Sequence, residues 1–78
     1  MMRITDSKTF GAALRRRRNE LKYTQVYLSE FTGFSVTFIS DLERGKPTAE
    51  LGKALHLASI LGLDINMDVR GGSKDKNK

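Results

Sequence analysis

The chain has 78 residues, with 14 Lys and Arg against 9 Asp and Glu, and carries a net charge of +5 at pH 7. This length fits one small domain that buries only ~60% of the surface of its unfolded chain, so a second subunit would add to its stability. The chain has no cysteine, which excludes disulfides and thiolate metal sites, and no apolar run long enough for a membrane span or a signal peptide, so we expect a soluble cytoplasmic protein.

The basic excess is concentrated at the carboxyl terminus. Residues 70–78 hold four Lys and Arg and one Asp, so +3 of the net +5 lies there. Glycines and polar side chains in this segment cannot bury enough surface to fold. We therefore predict one domain over residues 1–70 and a flexible basic tail over residues 71–78.

A first helix is predicted over residues 7–22, with Asp6 as its N-cap. Arginines fill positions 15–18 of this helix, and because successive residues lie about 100° apart, at least one must approach the apolar stripe. Helical-wheel geometry puts Arg17 nearest the centre of the stripe and Arg18 at its edge. An arginine there can pack its methylenes on the core, but its guanidinium needs a carboxylate or water.

Two short helices joined by a glycine turn follow. Thr24 caps a helix over residues 25–32, and Gly33 provides the backbone conformation that ends it sharply. Ser35 caps the next helix, over residues 36–44. Hydrogen-bonding side chains share an arc of about 100° opposite its buried side: Thr37, Ser40, Asp41 and Arg44.

A fourth helix is predicted over residues 49–61, after Pro47 and with Thr48 as its cap. Its expected apolar stripe consists of Leu51, Ala54, Leu55, Ala58 and Leu61. Leu57 and Ile60 point elsewhere, so this helix is apolar over more than one face.

Beyond Gly62, apolar and polar residues alternate over residues 63–69, which is typical of a half-buried strand. A lone strand leaves backbone groups unpaired, so we expect it to pair with the same strand of a second copy. Residues 3–5 are the alternative partner within the chain. The predicted dimer interface comprises Leu57, Ile60, Leu63, Ile65, Met67 and Val69.

The helix pair over residues 24–44 has two interpretations. It can be half of a small helical bundle with no binding role. Alternatively it binds DNA, because Gln25 and Ser35 stand at helix starts, where free N–H groups and the helix dipole suit phosphate oxygens. Short side chains on the third helix would also let it approach base edges in a major groove. The combination favours DNA binding.

These residues resemble a known family over about residues 8–62. The matching positions are Thr24-Gln25, Leu28, Gly33, Ser35 and the run from Ile39 to Pro47, which resemble the Xre/Cro-type helix-turn-helix domain of phage repressors and bacterial regulators. Within that family the compact size, the Gly45-Lys46-Pro47-Thr48 loop, the helix end Ile60-Leu61-Gly62-Leu63 and the alternating segment are similar to the HipB-like antitoxins, which are encoded with a HipA-like kinase toxin. The resemblance implies an all-α, lambda-repressor-like domain of four or five helices, with one C-terminal strand that pairs across a homodimer.

Carried over by position, the resemblance assigns Gln25 and Ser35 to backbone phosphates. Further candidates for base edges or flanking phosphates are Val36, Thr37, Ser40, Asp41, Arg44 and Lys46. The resemblance also pairs Arg18 with Glu43, which links the first helix to the third and disagrees with the helical-wheel preference for Arg17. We follow the resemblance, because Glu43 gives Arg18 a partner, and expect Arg17 to extend its guanidinium towards solvent.

Three features depart from the family pattern. Asp41 puts a negative charge near phosphates, where it either accepts from a cytosine amino group or is held by Arg44. Val36 either touches a thymine methyl or covers the edge of the core. Normally polar positions of the second helix carry Val26, Tyr27 and Phe31. These are either scattered surface residues or a contact for a second protein such as a toxin.

No chemistry beyond binding is indicated. His56 lacks the partners of a metal site and is expected to be solvated, and the chain shows no nucleophile with a base and no phosphate-binding glycine loop. We therefore predict no enzyme, no metal and no cofactor. The basic tail is expected to be a solvated terminus, or else to add nonspecific DNA affinity.

The expected function is that of a transcriptional repressor bound to palindromic double-stranded operator DNA. By resemblance, it would repress its own operon and neutralise a HipA-like kinase toxin. The alternatives are a repressor without a toxin partner and a protein-interaction module that no longer reads DNA.

Overall fold

The computed structural model describes residues 3–71, and its regular structure there is entirely helical. The helices are α1 (Ser7–Glu20), α2 (Gln25–Thr32), α3 (Val36–Glu43) and α4 (Leu51–Ile60). This confirms the predicted all-α class. Apart from Gly71, the predicted basic tail lies outside the described residues. No helix within residues 3–71 is long and apolar enough to cross a membrane.

The amino ends of the first three helices lie where local capping predicts them. Asp6 accepts from the Thr9 N–H (2.8 Å), and the Thr9 hydroxyl accepts from the Asp6 N–H (3.0 Å), which forms a capping box. The bond from the Thr9 N–H lowers the pKa of Asp6. Thr24 and Ser35 cap α2 and α3, each with one bond that its side chain accepts from a backbone N–H three residues on. The predicted extension of α1 to residue 22 is wrong, because Lys22 has a φ of 61° and turns the chain.

The start of α4 differs from the sequence prediction. Glu50, not Thr48, is its N-cap and makes no side-chain capping bond, so α4 begins two residues later than expected. Upstream, the Ala49 N–H donates to the Lys46 carbonyl (3.3 Å), which holds these residues in a turn rather than a helix.

The buried face of α4 also differs from the prediction. Leu51 and Leu55 are 68% and 42% exposed, whereas Leu57 is only 1% exposed and lies in the core. Because apolar residues surround this helix, their spacing alone does not fix which face is buried. Leu57 therefore cannot belong to a dimer interface in this fold, and the predicted interface loses it.

The core lies where all four helices meet. Five large side chains are fully buried there: Leu14, Leu28, Ile39, Leu57 and Leu61. They come from α1, α2, α3 and the end of α4, so the core fixes the α2–α3 pair against the other two helices.

Two glycines let the start of α1 approach the end of α3. A Cβ at Gly11 would overlap the Leu42 carbonyl oxygen and lie 2.8 Å from the Glu43 carbonyl oxygen. Gly45 has a φ of +88°, and a Cβ there would lie 2.7 Å from the Lys8 Cα. A larger residue at either position would push α1 and α3 apart.

The segment over residues 63–69 has neither helix nor strand in the described chain. Leu63 packs on the core, but Ile65, Met67 and Val69 are 52%, 96% and 70% exposed. Residues 3–5 do not pair with it. The predicted strand is therefore not formed within one copy, which is consistent with its need for a second strand to bond.

The close approach at Gly11 gives a testable prediction. Gly11→Ala should lower the free energy of unfolding by about 1–3 kcal/mol, because the methyl group overpacks against rigid backbone. Gly52→Ala is the matched control, since a Cβ at this position of α4 meets nothing within 4 Å. The control should gain up to about 1 kcal/mol of helix propensity. Urea unfolding measures both, and equal effects would contradict the packing argument.

Candidate nucleic-acid interface

A buried ion pair joins α1 to the end of α3. Arg18 Nε lies 2.6 Å from Glu43 Oε2, and Arg18 Nη2 lies 3.0 Å from Oε1, so the contact is bidentate. Arg18 Nη1 also donates to the Tyr23 carbonyl (2.8 Å). The hydrogen bond to Glu43 raises the pKa of Arg18 despite its burial. The pair that the resemblance implies is thus present, and both side chains are almost inaccessible.

Gln25 extends this ion pair to the start of α2. Its Nε2 donates to Glu43 Oε1 (3.1 Å), so one carboxylate fixes both a buried arginine and the first side chain of α2. Gln25, which is predicted to contact a phosphate, is therefore hydrogen-bonded to Glu43 of the structural ion pair. Sequence reasoning missed this bond, because 18 residues separate its partners.

Arg17 has a different role from the one that the helical wheel suggested. Its Nε donates to the Leu61 carbonyl at the end of α4 (2.9 Å), and its side chain is partly exposed. This guanidinium satisfies a carbonyl that has no partner within its helix. The preference for Arg17 as the central buried arginine is wrong, because the helical wheel does not show which neighbouring helix each side of α1 meets.

The turn between α2 and α3 is fixed by its own side chains. Gly33 has a φ of 84° and ends α2. The Ser29 hydroxyl donates to the Phe34 carbonyl (2.6 Å), and the Thr32 hydroxyl accepts from the Phe34 N–H (3.1 Å). Ser35 then accepts from the Phe38 N–H (3.0 Å) and starts α3. These bonds set the angle between the two helices.

The side of α3 away from the core presents most of the predicted reading residues, and Val36 lies at the edge of that side. We define the α3 face as Val36, Thr37, Ser40, Asp41 and Arg44. On the opposite side Ile39 is 0% and Leu42 is 3% exposed. Val36 is 38% exposed, which fits either of the two roles predicted for it. Burial on one side and polarity on the other leave α3 able to enter a groove.

Charges on the α3 face are paired with one another. Arg44 Nη2 lies 2.5 Å from Asp41 Oδ1, and Arg44 Nη1 lies 2.5 Å from the Ser40 hydroxyl. Lys46 Nζ lies 3.6 Å from Asp41 Oδ2. Of the two roles left open for Asp41, the structure contains the pairing with Arg44.

Aromatic side chains form a continuous row on the outside of α2. The ring centroids of Tyr23 and Tyr27 are 4.9 Å apart, and those of Tyr27 and Phe31 are 6.2 Å apart and nearly parallel. Tyr27 and Phe31 are 48% and 64% exposed, and Val26 beside them is 57% exposed. The three aromatic rings are therefore in one row and are not scattered, and Val26 is an exposed apolar residue of the same helix.

His56 is exposed and meets the ring of Phe34 edge to face at 6.0 Å. Within residues 3–71, no three His, Cys, Asp or Glu side chains are grouped so that they could hold a metal ion.

Two short helices fixed around Gly33, with a polar outer face on the second, define a helix-turn-helix protein. A family model described as helix-turn-helix matches residues 14–66. The chain is 40% identical over 65 residues to the uncharacterised HTH-type transcriptional regulator y4mF of Sinorhizobium fredii, covering 83% of this chain and 86% of that protein. It is 29% identical over 64 residues to the ImmF control region 10 kDa protein of Bacillus phage phi105, covering 82% and 71%.

Solved structures of HipB share the fold. A complex of HipB with an O4 20mer matches with a TM-score of 0.80 and 18% identity, covering 90% of this chain and 99% of HipB. A second HipB complex, with an O2 20mer, matches with the same TM-score and identity. The chain belongs to the helix-turn-helix family, which confirms the predicted Xre/Cro-type domain and its structural likeness to HipB.

Removing one partner of the buried ion pair should be far more damaging than removing both. Glu43→Leu leaves Arg18 buried without a counter-charge and should lower the free energy of unfolding by about 3–5 kcal/mol. The double variant Arg18→Met, Glu43→Leu should recover most of that loss, since no charge remains to be solvated. Urea unfolding would contradict this account if the double variant were no more stable than Glu43→Leu.

Proposed function

We propose that the chain is a sequence-specific DNA-binding transcriptional repressor that places α3 in a major groove. The observation that carries the proposal is the α3 face, in which Thr37, Ser40, Asp41 and Arg44 lie on the side of the helix opposite its buried apolar residues. A major groove accepts one helix, and side chains as short as Thr37 and Ser40 keep its axis close to the base edges. Family membership supports the same class of function.

Phosphate contacts would come from the edges of the helix pair. Gln25 begins α2 and Ser35 caps α3, so both lie where N–H groups point out of a helix. Gln25 is held by Glu43, so it meets a phosphate without first losing much side-chain freedom. Lys46, 52% exposed beyond α3, would add a charge contact.

The proposed repressor is a two-fold dimer on palindromic DNA. Residues 64–69 lie outside any helix or strand and expose the apolar side chains of Ile65, Met67 and Val69, which a second copy of the same segment would cover. Ile60 and Leu63 are half-buried at its base and would extend the contact. Two copies of α3 related in this way read half-sites about one helical turn, or a multiple of it, apart.

The finer proposal is that this repressor is an antitoxin. It rests on the shared fold with HipB and on the exposed side chains of Val26, Tyr27 and Phe31, which suit contact with a second protein such as a HipA-like kinase toxin. The likeness to a phage control-region protein favours the second candidate, a repressor without a toxin. A kinase-like reading frame directly downstream would distinguish the two.

Removal of the polar α3 side chains tests DNA reading. The triple variant Thr37→Ala, Ser40→Ala, Arg44→Ala should bind the DNA upstream of its own gene roughly 100-fold more weakly, or worse, because each base contact contributes about 1–3 kcal/mol. Fluorescence anisotropy at several salt concentrations measures the affinity.

Lys53→Ala is the control for that variant. It also removes one positive charge, but from α4, outside the α3 face, and should leave affinity nearly unchanged. Unchanged affinity in the triple variant would exclude the α3 face as the reading surface. Phosphate contacts release counterions, so DNA affinity should fall as salt rises. A wild-type affinity that did not change with salt would instead favour the protein-interaction module.

The dimer proposal is tested by truncation. A chain ending at Leu63 retains every large core residue but lacks the segment proposed to pair, so it should sediment as a monomer. A chain ending at Gly71 retains that segment and should remain dimeric. Sedimentation velocity compares them, and a dimer in both would rule out pairing through residues 64–69.

A further inference from the structure

We propose that Asp41 is a specificity-determining residue of the α3 face, and that its carboxylate withholds Arg44 and Lys46 from DNA of arbitrary sequence. The inference rests on the proposed DNA-binding function and adds a base preference to it. Its basis is the position of Asp41 between two cations, Arg44 of the α3 face and Lys46 just beyond it. One carboxylate oxygen meets Arg44 and the other faces Lys46.

The geometry holds both cations over the same turn of α3. Arg44 is fixed at two points, by Asp41 and by the Ser40 hydroxyl. Lys46 is anchored through its backbone, because its N–H donates to the Asp41 carbonyl (3.0 Å). The Asp41 side chain is 24% exposed, against 69% for Arg44 and 52% for Lys46. The acid therefore lies beneath its two partners.

This arrangement penalises phosphate contact. A phosphate that approaches Arg44 or Lys46 meets the negative charge of Asp41 and must compete with it for the same donors. Two cations on this turn thus deliver only one net positive charge. Nonspecific affinity, which depends on such charges, is reduced accordingly.

A suitable base pair can replace these contacts. Ion pairs as exposed as these are weak, so Arg44 can leave Asp41 for a stronger bidentate acceptor. Guanine offers that acceptor through O6 and N7, and cytosine offers the amino donor that the freed Asp41 carboxylate needs. A base that presents only acceptors to Asp41 repels its carboxylate and gives it no hydrogen-bond donor. The geometry therefore predicts a half-site with guanine opposite Arg44 and cytosine opposite Asp41.

Parallel selection from a random duplex library tests this inference without a known operator. The wild-type full chain, Asp41→Asn and Glu30→Gln would each be taken through selection. Each chain would then be titrated on the duplex that the wild type enriches and on one fixed unrelated duplex. Glu30→Gln is the matched control, because it removes one exposed carboxylate from α2 and changes the net charge equally.

The expected result has three parts. Asp41→Asn should bind the unrelated duplex roughly tenfold more tightly, and the slope of log K against log salt should steepen by about 0.9 for one added phosphate contact. Its preference between the two duplexes should fall at least about tenfold. At one position of the selected sequence, the preferred base should change from cytosine to adenine, since asparagine pairs with adenine through N6 and N7. Glu30→Gln should keep the wild-type preference and sequence.

The opposing results are distinct. If Asp41→Asn, shown by circular dichroism to be folded, weakened binding to both duplexes equally and kept the selected sequence, Asp41 would serve only the helix and the inference would be overturned. Equal gains in Asp41→Asn and Glu30→Gln would also overturn it, as an effect of net charge alone. A wild-type chain that enriched no sequence and did not bind the fixed duplex would refute DNA binding itself.

Discussion

The buried contact between Arg18 and Glu43 is the constraint on which the other features depend. Charged groups are costly to remove from water, so a buried pair persists only where both partners are held in one geometry. Here the geometry spans α1 and the end of α3, and through Gln25 it reaches the start of α2. One carboxylate therefore fixes the position of α1 relative to α2 and α3, the two helices that carry the proposed DNA contacts.

The close contact at Gly11 explains how that ion pair can be so short. Without a side chain at this position, α1 lies directly against the carbonyl groups at the end of α3, and Arg18, about two helical turns farther along, reaches Glu43. Backbone contact and ion pair reinforce each other, because neither can shift without the other. The carboxyl end of α3 is thus positioned by these contacts, and its amino end is positioned by the turn at Gly33.

The two acidic residues of α3, Asp41 and Glu43, lie on different sides of the helix and have different partners. Glu43 lies inside, where its partner is 25 residues away and its bonds fix the fold. Asp41 lies outside, where its partners follow it by three and five residues and can exchange with solvent or ligand. Two acids only two positions apart thus have different roles, one in the fold and one on the proposed reading surface.

Sequence alone determined the parts of this protein that local hydrogen bonds decide. The caps at Asp6, Thr24 and Ser35 and the turn at Gly33 involve partners within five residues, so their spacing in the chain is sufficient to locate three helices and the α3 face. Arg18–Glu43 pairing was also anticipated, but from family resemblance and against the helical wheel. Only tertiary structure decided which face of α4 is buried and that Leu57 belongs to the core, because α4 is apolar on several sides and the packing of distant helices selects among them.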